Sequence, residues 1–175
     1  MAITFARCSN LALIRAILTH PLVYPHISDD GSPEAEEYQP IDHPAIWYVL
    51  ARDVAPEQED ILGVWMFTPQ NAVCWEVHTA LMPIAYGMRA LNAARMLPEW
   101  IWENTPCRRI ITTVPVSNRL ALRFAVKAGM EYYGTNKVSF LKNGVLWDQE
   151  CLGISAPARL TIVEKKTEEV QSCRR

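Results

Sequence analysis

The sequence predicts an α/β fold, a mixed, mostly antiparallel central sheet with helices on both faces. Three observations carry that reading. Ala72 to Gly134 reads as strand, glycine-bearing turn, amphipathic helix, strand, Ser-Asn, second helix, Ala-Gly-Met, strand. Ala45 to Leu81 reads as three strands joined by polar turns, an antiparallel meander. Asn143-Gly144, flanked by the segments Lys137–Leu141 and Val145–Glu150, fits the type I′ turn of a hairpin.

The elements follow in order. Ile3 to Phe5 is a short first strand. Asn10 caps a helix whose Leu11, Leu13, Ile14, Ile17 and Leu18 recur at helical spacing, and His20-Pro21 ends it. Leu22 to Ile27 adds a short helix interrupted by Pro25. Ser28 to His43, rich in Asp, Glu, Gly, Ser and Pro, is an exposed loop. Ala45 to Arg52 is a strand, Ala55 to Asp60 an acidic turn, Ile61 to Phe67 a strand, Thr68 to Asn71 a turn, and Ala72 to Leu81 a strand. Gly87 to Asn104 is helical, with Leu91, Ala94, Leu97 and Ile101 on one stripe. Pro98 removes the bond to the Ala94 carbonyl and predicts a kink or two abutting helices. Arg109 to Val116 is a strand, and Asn118 to Ala128 a helix stopped by Gly129.

Composition sets the broad class. Half of the 175 residues are apolar and 21% are charged, so the chain can bury a core. The net charge is −2, which argues against nucleic acid as the main partner. No apolar stretch is long enough to cross a bilayer. Met1 to Phe5 lacks a signal pattern, and a cytoplasmic home is expected. Cys8, Cys74, Cys107, Cys151 and Cys173 are odd in number and far apart, without a C-x-x-C pair. They predict free thiols, with neither a disulfide framework nor a metal site.

Three segments carry candidate chemistry. In the strand A-V-C-W-E-V-H-T-A-L-M, alternation puts Glu76 and His78 on one face with Cys74, Ala80 and Met82. A carboxylate and an imidazole there suit a general base acting directly or through water; a half-exposed polar face is the other reading. The turn Met82-Pro83-Ile84-Ala85-Tyr86-Gly87-Met88-Arg89-Ala90 opens a helix. Such a turn points N–H groups at one spot, which suits a phosphate-bearing ligand, and Arg89 adds positive charge. Finally, Ser117 or Asn118 caps the next helix, and an amide at a strand's end also suits contact with a ligand in a cleft.

Ala72 to Gly134 resembles the GNAT acetyltransferase superfamily, and the element order from Ile3 to Ser155 fits that fold. N-R-L-A-L-R-F-A-V-K-A-G-M is the most specific part, similar to the family's Asn-x-x-Ala/Ser helix ending in lysine, one residue, glycine and a hydrophobe. Within the superfamily the chain is most similar to the branch that acetylates ribosomal protein N-termini. The resemblance implies acetyl-CoA as cosubstrate, bound between the strands ending near Met82 and Val116. It implies backbone pairing of Leu81 and Met82 with the pantetheine arm, and a pyrophosphate held by Gly87, Met88, Arg89 and Ala90. It also implies a pantetheine contact from Asn118, and Glu76 or His78 as base toward an amine of a protein or small molecule.

Three positions depart from the family pattern, one being Pro83, which lacks an N–H at a place where backbone donors are useful. Met82 stands where Gln or Arg is common, and Ala125 where many members carry a thiolate-protonating tyrosine. The whole chain also resembles head-assembly proteins of short-tailed bacteriophages. That likeness implies a phage structural protein as partner, the host cytoplasm as location, and a GNAT fold with little or no catalysis. One GNAT-like domain is expected over 1–155, followed by a charged tail over 156–175.

Overall fold

The computed structural model describes residues 2–157. In chain order the elements are β1 (Ala2–Cys8), α1 (Leu11–Leu18), α2 (Tyr24–Ile27), β2 (Trp47–Ala55), β3 (Gln58–Pro69) and β4 (Cys74–Leu81). A single 3-10 turn, Pro83–Ala85, leads to α3 (Met88–Asn104), β5 (Arg109–Pro115), α4 (Arg119–Lys127), β6 (Glu131–Lys142) and β7 (Val145–Ser155). The strands form one sheet in the order β1-β2-β3-β4-β5-β7-β6. Every neighbouring pair is antiparallel except β4 with β5. This is the expected mixed, mostly antiparallel sheet.

Period-two alternation divides the apolar residues between two cores. On one face Val49, Ala51, Trp65, Phe67, Trp75, Val77 and Ile110 pack with Ala90, Ala93, Leu97 and Ile101 of α3. On the other, Tyr48, Leu50, Val64 and Ala80 pack with Ile14, Ile17 and Leu18 of α1. A smaller cluster joins Val114 and Leu152 to Ala125 of α4. Trp100 and Trp102 pack against the α3 core.

Several expectations need correction. The acidic turn at Ala55 to Asp60 is shorter than expected, because Gln58, Glu59 and Asp60 belong to β3. Their charges have partners: Glu59 pairs with Arg52 at 3.1 Å, and Asp60 with Arg89 at 2.6 Å. One helix, not two, spans Met88–Asn104 with Pro98 inside it and buried. Packing of Ala94, Leu97 and Ile101 on either side outweighs the missing hydrogen bond. Pro25 sits at the start of α2 and opens that helix instead of interrupting it. β6 and β7 are far longer than the runs around Asn143-Gly144 suggested. A bulge between Asn136 and Phe140 breaks the alternation, with Val138 at φ 52°. The loop from Ser28 to His43 is mostly exposed, as expected, and Arg15 pins it by donating to the carbonyls of Tyr38 and Glu36 at 2.8 and 2.6 Å. The expected tail, 156–175, lies almost wholly outside the described residues.

An ion network ties α3 to the sheet. Asp53 and Asp60 stand opposite each other in the β2–β3 ladder, a like-charge pair that is unfavourable on its own. Arg89 donates from Nε to Asp53 at 2.9 Å and from Nη2 to Asp60 at 2.6 Å. Asp53 is buried. The hydrogen bond from Arg89, then one from Gln58, holds the Asp60 carboxyl below the usual carboxylate range.

Two predictions follow from this architecture. A Cβ on Gly63 would lie 2.3 Å from the Ala80 carbonyl oxygen, at φ +157°. Gly63→Ala is therefore expected to cost about 2 kcal/mol or more by urea denaturation, because backbone must move; an unchanged midpoint would contradict this packing. The lowered Asp60 pKa stabilises the fold above the unfolded value of about 3.9, and that share is lost as pH falls through the folded value. The stability gap between wild type and Arg89→Met is thus expected to be wide near neutral pH and to close below about pH 4. A gap independent of pH in urea unfolding would show that the network does not contribute in this way.

Candidate functional site

β4 and β5 pair over three positions only, Cys74↔Arg109, Trp75↔Ile110 and Glu76↔Ile111. Beyond Glu76 each strand continues against its other neighbour. β4 stays paired with β3 up to Leu81↔Gly63, and β5 with β7 up to Pro115↔Gln149. The two strands therefore part, and a cavity of about 420 Å³ occupies the gap. Val77, His78 and Thr79 line it from β4, and Thr112 to Pro115 from β5. It runs through the sheet, from Leu97 and Ala125 on the α3–α4 side to Asp29 and Phe140 on the other. Small side chains on the helices, among them Ala94, Ala121 and Ala125, leave this volume unfilled.

Glu76 sits at the fork. Its carboxylate accepts from Gln70 Nε2 at 3.0 Å and from Thr113 Oγ1 at 3.3 Å, so a β5 side chain reaches across to it where pairing stops. His78 Nε2 lies 3.9 Å from Glu76 Oε1. The Glu76 side chain is 20% exposed and that of His78 51%. The strand alternation thus brings both predicted base candidates together at the gap, with His78 lining the cavity. Gln70 and Thr113, which orient Glu76, carry no sequence signal, because their role arises only from sheet register.

Strand geometry also fixes which backbone groups face the gap. Met82 donates its N–H to the Leu62 carbonyl at 2.9 Å, and its own carbonyl accepts from Ala85 N at 2.9 Å. Both Met82 groups have partners within the chain, so the expected pairing of Met82 with a ligand arm is left with a second bond to its carbonyl. By alternation the groups of Val77, Thr79 and Leu81 point toward the β5 side instead, so the Leu81 position remains compatible with that role.

The Met82–Ala90 turn lies at the open end of the gap and does not line the cavity itself. Gly87 adopts φ 93°, ψ −135° and precedes α3, which has no side-chain cap. The N–H groups of Gly87, Met88, Arg89 and Ala90 have no partner among the described residues. By contrast, α1 is capped by Asn10 and α4 by Asn118, whose Oδ1 accepts from Ala121 N at 3.1 Å. A Cβ on Gly87 would meet nothing within 4 Å, so open space adjoins these donors. That arrangement suits an anion. The Arg89 side chain, however, is turned to Asp53 and Asp60, so Arg89 offers the turn its backbone and not a free guanidinium. Asn118 lines the cavity as well as capping α4, and its amide nitrogen has no bond among the described residues.

Among the described residues no cluster of side chains has metal-ligand character. Cys8, Cys74, Cys107 and Cys151 are free thiols. Burial pushes the Cys107 thiol up to about 11, which keeps it protonated. Among the described residues no helix is long and apolar enough to cross a membrane.

No protein-family model and no curated protein matches the chain. Solved structures do. A chimera of spermidine N-acetyltransferase from Vibrio cholerae and hSSAT superposes with a TM-score of 0.71 at 16% identity, over 89% of this chain and 96% of that one. Spermidine N-acetyltransferase from Vibrio cholerae in complex with CoA and spermine gives 0.68 at 16% identity, over 87% and 95%. An acetyltransferase of the GNAT family from Bacillus anthracis gives 0.65 at 16% identity, over 89% and 95%. With its sheet order, its single parallel pair and the gap that follows it, the chain has the GNAT acyltransferase fold.

Proposed function

We propose that this chain is an N-acyltransferase that moves an acetyl group from acetyl-CoA to an amine of a protein or small molecule. The observation that carries the reading is the parted β4–β5 pair, with Glu76 at its fork and the uncapped N-terminus of α3 at its open end. The residues present fit a coenzyme A thioester. The gap has unpaired strand edges for a pantetheine arm, and the turn has free amide hydrogens and open space for a diphosphate. The coenzyme supplies an acetyl group activated as a thioester.

The chain's own residues supply the rest. Leu81 offers backbone to the arm, and Asn118 its side-chain amide. Gly87, Met88, Arg89 and Ala90 offer backbone N–H groups to the diphosphate. Glu76, held by Gln70 and Thr113, accepts a proton from the incoming ammonium, directly or through a water relayed by His78. Amide hydrogens facing the gap stabilise negative charge that develops on the acyl oxygen. Ala125 stands where a thiolate-protonating tyrosine would be, so that proton comes from elsewhere in the site. Two of the superposed enzymes are named for spermidine, which makes spermidine and spermine the first acceptors to assay, with peptide N-termini second. Neither the ribosomal-protein branch nor a phage head-assembly role gains support from these comparisons.

Thermal unfolding in the presence of coenzyme A tests the reading. Ligand at a hundredfold excess over Kd adds about 2.7 kcal/mol, which for a chain of this size raises Tm by about 5 °C or more. No shift at millimolar coenzyme would defeat the acyltransferase assignment and leave a role in protein assembly. In a thiol-release assay with acetyl-CoA and amine, Glu76→Gln is expected to lower turnover by about 10²-fold or more while keeping the coenzyme-induced shift. Full activity in that variant would remove Glu76 as the base and pass the role to His78, for which His78→Ala is the complementary measurement.

A further inference from the structure

Because β4 and β5 run parallel, both end at the same edge of the gap, and α3 and α4 both begin there. The side chains at this mouth are unusual for the binding of a free, multiply phosphorylated nucleotide. Around the α3 turn, Ile84, Tyr86 and Met88 are 53%, 56% and 62% exposed, and in the first turn of α4 Leu120 is 79% exposed. The basic side chain at the α3 turn, Arg89, is committed to Asp53 and Asp60. Among the described residues at this mouth, the arginines without an ion-pair partner lie on α4, where Arg119 and Arg123 are exposed and the helix contains no acidic residue. Large apolar side chains beside unpaired arginines, at the mouth of a site, are the composition of a protein-docking surface.

We propose that this mouth docks a small acidic carrier protein that presents the acyl group on its own phosphopantetheine arm. The inference rests on the acyltransferase reading above, since the arm enters the same gap. The carrier's acidic residues meet Arg119 and Arg123, and its apolar side chains cover Leu120, Tyr86 and Met88. The transfer is the same as with coenzyme A. A C–N bond forms to the acceptor as the C–S bond breaks. The ammonium gives up two protons through Glu76 and water, one ending on the departing sulfur as thiol and one in solvent.

The test compares two probes, a bacterial acyl carrier protein bearing acetyl-phosphopantetheine, and acetyl-CoA, by calorimetric titration at low and at physiological salt. The carrier is expected to bind about tenfold more tightly than acetyl-CoA, with the stronger salt dependence. Leu120→Asp and Arg123→Glu are expected to weaken the carrier about tenfold and to leave acetyl-CoA within about twofold. Leu120→Asp keeps the fold, because the residue is exposed and an acid in the first helical turn suits the helix dipole. Equal or tighter binding of acetyl-CoA, or variants that weaken both donors alike, would overturn the docking surface while leaving the acyltransferase reading intact. Failure of both donors to bind would remove that reading too. A dimer in sedimentation that Leu120→Asp dissolves would assign the face to a second copy of the chain and likewise overturn the carrier.

Discussion

The structure turns on the failure of one strand pair to continue. β4 is held along its outer edge by β3, and β5 along its outer edge by β7, so both remain strands after they separate at Glu76 and Ile111. Twisted sheets do not ordinarily open in the middle, because backbone N–H and C=O groups inside a protein must be paired. Here the groups of Val77, Thr79 and Leu81 face a gap that no neighbouring strand fills. Water or a ligand must satisfy them, and an extended molecule with amide groups does so as a surrogate strand. Alanines in α3 and α4 keep larger side chains out of that space. The cavity is therefore a consequence of sheet geometry, with side-chain volume as the second condition.

Charge around the gap is arranged with the same economy. Asp53 and Asp60 face each other across the β2–β3 ladder, and Arg89 resolves the conflict by bridging both. A cation in the first turn of a helix opposes the macrodipole; the two carboxylates supply what that position otherwise lacks. The guanidinium is thereby turned to Asp53 and Asp60. What remains for an anion is backbone: four N–H groups, a glycine at positive φ, and no cap.

The fold was legible because its signals are local. The three-strand meander within Ala45 to Leu81, the Asn143-Gly144 turn, and the caps at Asn10 and Asn118 each depend on a few neighbouring residues, and all are present, with the strand ends moved by a few residues. Glu76 and His78 were legible for the same reason, since two residues apart on a strand means one face. The features that escaped depend on long-range partners. Nothing local in Gln58 to Asp60 announces a strand; Arg89, 29 residues beyond Asp60, makes it tolerable. Nothing local in Thr113 announces contact with Glu76, 37 residues away. Nothing local in Met82 announces that its N–H meets the carbonyl of Leu62, which lies on another strand.

The two ends of the cavity are built on opposite principles. At the far side of the sheet, the Ser28 loop and the β6–β7 hairpin are tied together. Lys142 donates to the carbonyls of Pro25 and Ser28, and Asp30 accepts from the N–H groups of Asn143 and Gly144, both at 2.7 Å. Asp29 and Phe140, next to these contacts, line the cavity from its two walls. The polar groups there are already satisfied, and the conformational entropy of a long loop has been lost in folding. At the mouth, by contrast, an uncapped helix and exposed apolar side chains leave interactions to be made. A molecule that binds by gaining contacts gains most at the unfinished end, while the tied end serves to hold its shape. The asymmetry follows from where hydrogen bonds have been spent, and it gives the gap a direction before any ligand enters.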